Sequence, residues 1–243
     1  MFKDFKPLDF KSTSYFKAIL TTIFLFIIQL LSLGAFIYFS GNNFLSYIFA
    51  NLFLIIVVFI IERKRLIEAF KNIYKDGKGK IVNIIMITAA LLIIEFIVNF
   101  ILIKIIGKVP DSTTNVMDSL RESKSYIIPY FINTIILLPI AEALIYFFPY
   151  SNIKNKKTKW IVYTIIFALF HMISSSTLLD LLFIIPYLIL SFAITYGYYK
   201  TDNIVYPMIT HSLNNVLAAI NLLLILRWFY EKRKEWKEWK ERS

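Results

Sequence analysis

The sequence predicts an all-α fold, a polytopic bundle of transmembrane helices, and three observations carry that prediction. Of the 243 residues 58% are hydrophobic, against about 45–50% in ordinary globular domains. Only 18% are charged, and the mean hydropathy is +0.65. The apolar residues also fall in long runs rich in Ile, Leu and Phe, with no dyad alternation that would suggest barrel strands. Backbone amides in lipid must be bonded within their own segment, so helices are the spanning element. This composition excludes a soluble globular enzyme, a disordered chain and a collagen-like fibre. The absence of cysteine excludes a disulfide framework, a thiolate metal site and a Cys nucleophile.

Seven hydrophobic segments stand out, at about 16–40, 44–61, 81–106, 126–148, 160–174, 178–199 and 206–227. A crossing needs about 20 residues, so the short fifth segment is expected to be tilted against its neighbours or extended by its flanks. The first run, Ala18 to Phe39, is too long for a signal-peptide core and is expected to be a retained span.

The net charge of +11 does not point to nucleic acid, because the cations lie in short patches between apolar runs. Lys3, Lys6, Lys11 and Lys17 precede the first span, and Gly41–Asn42–Asn43 carries no charge. The stretch from Arg63 to Lys80 holds seven Lys/Arg, whereas Val109 to Ser125 holds Arg121 and Lys124 against Asp111, Asp118 and Glu122. Pro149 to Lys159 then carries four Lys and no acid. This alternation puts the N-terminus of a multi-pass, bacterial-type cell membrane protein in the cytoplasm. Seven spans would leave the tail outside, yet Arg227 to Ser243 contains seven Lys/Arg. The tail's Trp228, Trp236 and Trp239 form a helical stripe suited to an interfacial helix. A cytoplasmic tail is therefore expected, which leaves an eighth crossing open. The chain reads as one bundle: N-terminal helices over 1–125, a core over 126–227 and the basic aromatic tail over 228–243.

Ionisable residues inside spans are expensive and mark function or a buried pair. Glu95, Lys104, Glu142, His171 and His211 are such residues, and both histidines of the chain are among them. His211 and Asn215 are four apart and share a helix face. Counted from the cytoplasmic ends at 1.5 Å per residue, Glu142, His211 and His171 lie roughly 9, 8 and 16 Å deep. All three can meet in the inner half of the bilayer. A carboxylate there can take a proton from water near neutral pH, with an imidazole sharing that role. A second imidazole and an amide can donate to a tetrahedral oxyanion. Such a set describes amide hydrolysis without a covalent intermediate.

These residues resemble the CPBP family, also called the Abi or CaaX-protease family, over about 126–227. The family pattern is Glu-Glu-x-x-x-Arg, then Phe-x-x-x-His, then His-x-x-x-Asn/Asp, each on a membrane helix. Phe167 and His171 match the second motif, His211 and Asn215 the third, and Pro139 stands three residues before Glu142. The first motif is degenerate: Glu142 is present, but Ala143 and Phe147 replace the second glutamate and the arginine. The resemblance implies a membrane endopeptidase in which Glu142 and His171 activate water while His211 and Asn215 stabilise the oxyanion. It implies no cofactor, and as substrate a peptide or membrane-associated protein tail, as in bacteriocin or pheromone processing or self-immunity. The degenerate motif keeps a second reading open, an inactive relative that binds a membrane partner as an immunity factor or scaffold. A zinc site built from Glu142, His171 and His211 is a minority alternative, without His-Glu-x-x-His spacing.

The remaining polar residues have structural readings. Glu95 and Asn99 read as helix-packing groups, and Lys104 as a side chain extending out of the apolar layer. Thr177 and Asp180 read as a capping box opening the sixth span.

Overall fold

The computed structural model describes residues 15–108, 127–151, 153–173 and 177–220. Among these residues every regular element is helical, and the bundle is that of a multi-pass membrane protein. Helix α1 is Tyr15–Ser40, α2 Asn43–Ile73 and α3 Lys78–Ile106. Helix α4 runs as Ile127–Ile132, a π-helical turn Asn133–Leu137, and Leu138–Tyr146. Helix α5 is Lys156–His171, α6 opens with the 3₁₀ turn Leu178–Phe183 and continues as Ile184–Thr201, and α7 covers 205–220. Five of these segments are long and apolar enough to cross a membrane. The C-terminal tail and its Trp stripe lie outside the described residues.

Helix ends follow local chemistry. The Asn42 side chain accepts from the Leu45 amide and the Asn155 side chain from the Thr158 amide, which satisfies amides that lack an intrahelical partner. Gly107 ends α3 in the left-handed conformation (φ 73°), where a Cβ would be strained. Thr177 and Asp180 form the expected capping box, and Asp180 additionally pairs with Lys108 across the bundle at 3.0 Å.

Two helices run past the hydrophobic segments read from the sequence. Helix α2 bends at Glu62 (φ −113°, ψ 21°), where its hydrophobic segment ends, and continues to Ile73, with Arg65 paired to the buried Glu62 and placed over Phe148. Helix α5 starts at Lys156, so the fifth segment is extended by its N-terminal flank as expected. Lys159 in its first turn is buried and paired with Asp202, over the Tyr198 ring.

Successive helices run antiparallel. Turn 74–77, Ser151 with 153–155, and turn 202–204 gather at one end, tied by Asn203 Nδ2 to Ala69 O (2.7 Å), Tyr206 Oη to Asp76 (2.9 Å) and Arg65 to Ser151. Lys64, Lys71, Lys75, Lys78, Lys80, Lys154, Lys156 and Lys157 surround this basic end. The opposite end holds the 41–42 turn, Lys108 and Asp180. Helix α1 packs along α2, and α6 packs between α3 and α5. Gly197 lets α3, α6 and α7 meet: a Cβ there would lie 2.8 Å from Tyr206 Cβ and 3.1 Å from Ile84. The core is aromatic, with Phe147, Tyr150, Tyr163, Phe167 and Tyr198 fully buried.

Candidate active site

Helix α4 sets the position of the acid. In its π-turn the Leu138 amide bonds back to Asn133 O, five residues earlier. The next such bond would run from residue 139 to Thr134 O, but Pro139 has no N–H. Thr134 O is thereby left for another donor, and Asn215 Nδ2 of α7 supplies it at 2.8 Å. One turn beyond Pro139, Glu142 faces α7.

The structure brings Glu142 and His211 together. Glu142 Oε2 lies 3.4 Å from His211 Nδ1. The geometry is off-line for a hydrogen bond, so both buried atoms lack a hydrogen-bond partner. His211 is 4% exposed, while 16% of the Glu142 side chain stays accessible. Asn215 lies one turn from His211 on the same helix. Its second N–H is not used by Thr134, and its Oδ1 accepts from Asn214 at 3.2 Å.

His171 closes the last turn of α5. Its Nδ1 lies 2.9 Å from Phe167 O. A backbone carbonyl only accepts, so Nδ1 carries the proton and Nε2 the lone pair. The Phe167 ring spaces the two imidazoles, 4.4 Å from His171 and 5.4 Å, edge-on, from His211. Tyr187 of α6 closes the other side of His171 at 5.4 Å. Glu142, His171 and His211 do not form a metal-holding trio, and among the described residues no three His, Asp or Glu side chains do.

Ala143 and Phe147 sit one turn apart on a buried face, each 1% exposed. Phe147 packs on Tyr163 and Phe167 at 5.5 and 5.6 Å. An apolar layer thus fills the place of a charged pair, and no charge is stranded there.

Sequence reasoning missed the polar groups that support α4 from the other side. Gln29 Nε2 of α1 donates to Asn51 Oδ1 of α2 at 2.7 Å, and Asn51 Nδ2 donates to Asn133 Oδ1 at 2.9 Å. Their signal was present, single amides within otherwise apolar runs. Of the polar residues read as structural, Lys104 is exposed beside the Phe100 ring, and Glu95 and Asn99 are only partly buried.

Residues 124–217 match the family described as Type II CAAX prenyl endopeptidase Rce1-like. This segment is similar to the CPBP family. It contains the Pro139–Glu142 turn, the Phe167–His171 pair and the His211–Asn215 pair. The chain is also similar to the UPF0177 protein YxdF of Lactococcus lactis subsp. lactis, with 38% identity over 91 residues. That match covers 36% of this chain and 48% of the relative, so the chain spans about half the length of the curated relative. No solved structure matches. The similarity thus rests on the segment with the converging polar groups, and the preceding helices α1 to α3 lie outside it.

Proposed function

We propose that this protein is a glutamate-dependent intramembrane endopeptidase. Its substrate would be a peptide or a membrane-associated protein tail reached from the basic end, which faces the cytoplasm together with the N-terminus. The observation that carries the reading is the Glu142–His211 contact: two buried, unpartnered polar atoms 3.4 Å apart in a site open at the carboxylate. A water on the accessible side of the carboxylate would donate to Glu142 and be oriented by an imidazole. His171, through Nε2, shares the base role. The free N–H of Asn215 and an imidazole N–H stabilise the oxyanion. Residues 126–227 form the catalytic core, and the N-terminal helices complete its bundle. A bacteriocin or pheromone precursor suits such a site.

Cleavage of a membrane-anchored candidate precursor by wild type and Glu142→Gln tests this. Loss of general-base catalysis lowers the rate by about 10²-fold or more, and equal processing by the two proteins removes the peptidase. The second reading, an inactive relative that binds a membrane partner in self-immunity, is favoured by the apolar filling at Ala143 and Phe147. Under that reading Glu142→Gln leaves protection and partner binding unchanged.

A further inference from the structure

The bend in α2 divides that helix into two environments. Residues 44–61 rise about 27 Å at 1.5 Å per residue, close to the roughly 30 Å hydrocarbon thickness. Helix α2 therefore leaves the hydrocarbon at Glu62, where its backbone bends. Beyond the bend Leu66 is buried, while Ile67, Phe70 and Tyr74 are 39%, 49% and 89% exposed among Lys64, Lys71 and Lys75. Apolar and aromatic side chains interleaved with lysine place this segment in the headgroup layer.

Between this segment, the Phe148–Tyr150 turn and the 198–204 corner lies a cleft of about 370 Å³, separate from the Glu142 site. Two of its carboxylates are already matched: Asp76 by Lys80 and Tyr206, and Asp202 by Lys156 and Lys159. A third, Glu68, is exposed. The donors on its wall are under-used. Arg65, with its guanidinium carbon 4.5 Å from the centre of the Phe148 ring, gives two contacts, to Glu62 and Ser151, of the five that a guanidinium offers. Lys75 is exposed. Cationic donors with unused N–H groups at headgroup depth, between helices of a basic membrane face, call for acceptor oxygens bearing negative charge.

We propose that this cleft binds the phosphate-bearing headgroup of an anionic phospholipid, with Arg65 and Lys75 on the phosphate and the bent end of α2 lying over the lipid surface. The site is independent of the peptidase reading and needs no substrate to test. The full chain, purified in detergent, is titrated with phosphatidylglycerol, phosphatidylcholine and soluble glycerol phosphate, with thermal stability and native mass spectrometry as readouts. Phosphatidylglycerol stabilises the protein and is retained, whereas phosphatidylcholine does neither. Glycerol phosphate competing for the site places recognition in the headgroup alone, and failure to compete places part of it in the acyl chains.

Lys75→Gln weakens phosphatidylglycerol binding about fivefold, the effect of one cation at a membrane surface. Lys157→Gln, an exposed lysine of the same face outside the cleft, leaves it unchanged. Removing Arg65 alone would strand Glu62, so the paired variant Glu62→Gln/Arg65→Gln is used. It weakens binding at least as much as Lys75→Gln while the unliganded protein still melts cooperatively. Equal binding of the two phospholipids, or equal losses with Lys75→Gln and Lys157→Gln, overturns the site and leaves only diffuse surface attraction.

Discussion

Helices α1 and α4 are both apolar enough to cross a membrane, yet they are different kinds of object. In the most apolar stretch of α1 11% of residues are buried inside the protein, against 50% in the Ile127–Tyr150 segment. Helix α1 exposes Phe16, Leu20, Phe24 and Leu31 and turns inward along Ala18, Thr22 and Leu25. Helix α4 is bonded from both sides, at Asn133 by α2 and at Thr134 by α7, and carries the acid of the site. Hydropathy reports that a helix can enter lipid. Which helices face protein instead is reported by the amides, prolines and small residues that interrupt the apolar run.

The sharpest test sets a core aromatic against a peripheral one. Phe167→Ala removes a fully buried ring that touches Phe147, Tyr146 and both imidazoles, and costs about 3 kcal/mol or more. Phe24→Ala, on the 47% exposed face of α1, stays within about 0.5 kcal/mol. Reversible unfolding in mixed micelles compares the two, and equal losses would erase the distinction between α1 and the core.

Asp202→Asn is expected to have the next effect, because it leaves the buried Lys159 ammonium without its partner. Loss of one member of a buried pair costs about 3 kcal/mol, and the 34% exposure of Asp202 brings the expected figure nearer 2 kcal/mol. Asn51→Leu is smaller still. It leaves Asn133 Oδ1 and Gln29 Nε2 unsatisfied, at about 1 kcal/mol, as for polar contacts between membrane helices. This variant probes the comparison directly, because its damage reaches α4 from α2. Hydrogen exchange of amides 133–140 rises while amides 20–30 of α1 change little.

The smallest effect depends on pH. Burial alone would raise the Asp76 carboxyl, but hydrogen bonds from Lys80 and Tyr206 outweigh it and hold the group below the usual carboxylate range. A lowered folded-state pKa contributes stability above the unfolded value of about 3.9. That contribution is lost as pH falls through the folded value. Wild type therefore loses some stability in acid that Asp76→Asn never had. Melting curves from pH 6 down to 3 should converge for the two proteins.

The sequence made the outline of the site legible for a local reason. His211 and Asn215, like Phe167 and His171, are four apart on a helix, and that spacing places side chains on one face whatever the tertiary structure does. Glu142 stood out because a carboxylate in an apolar run has few uses. The bend at Glu62 was not legible, because a charged run after a span looks alike whether it is a loop or a helix continuing past the membrane. Only the Arg65–Phe148 contact, across more than eighty positions of chain, decides between them. The π-turn was hidden for the same reason, since Asn51 and Asn215 pull on α4 from distant parts of the sequence. The roles of Glu142, His171, His211 and Asn215 in catalysis stand as the proposal made above.

The widened turn of α4 also bears on how this helix can vary in length. Pro139 stands five positions after Thr134, matching a π-type bond that it cannot make. Excising one residue between them would put the proline four positions on, where an ordinary α-helical bond would be missing instead. In either length Thr134 offers its carbonyl to Asn215, and Glu142 leaves the turn on the same side. Deleting a single residue at 135–137 is therefore expected to turn the π-turn into an α-helical one and keep the same acid facing the same imidazole.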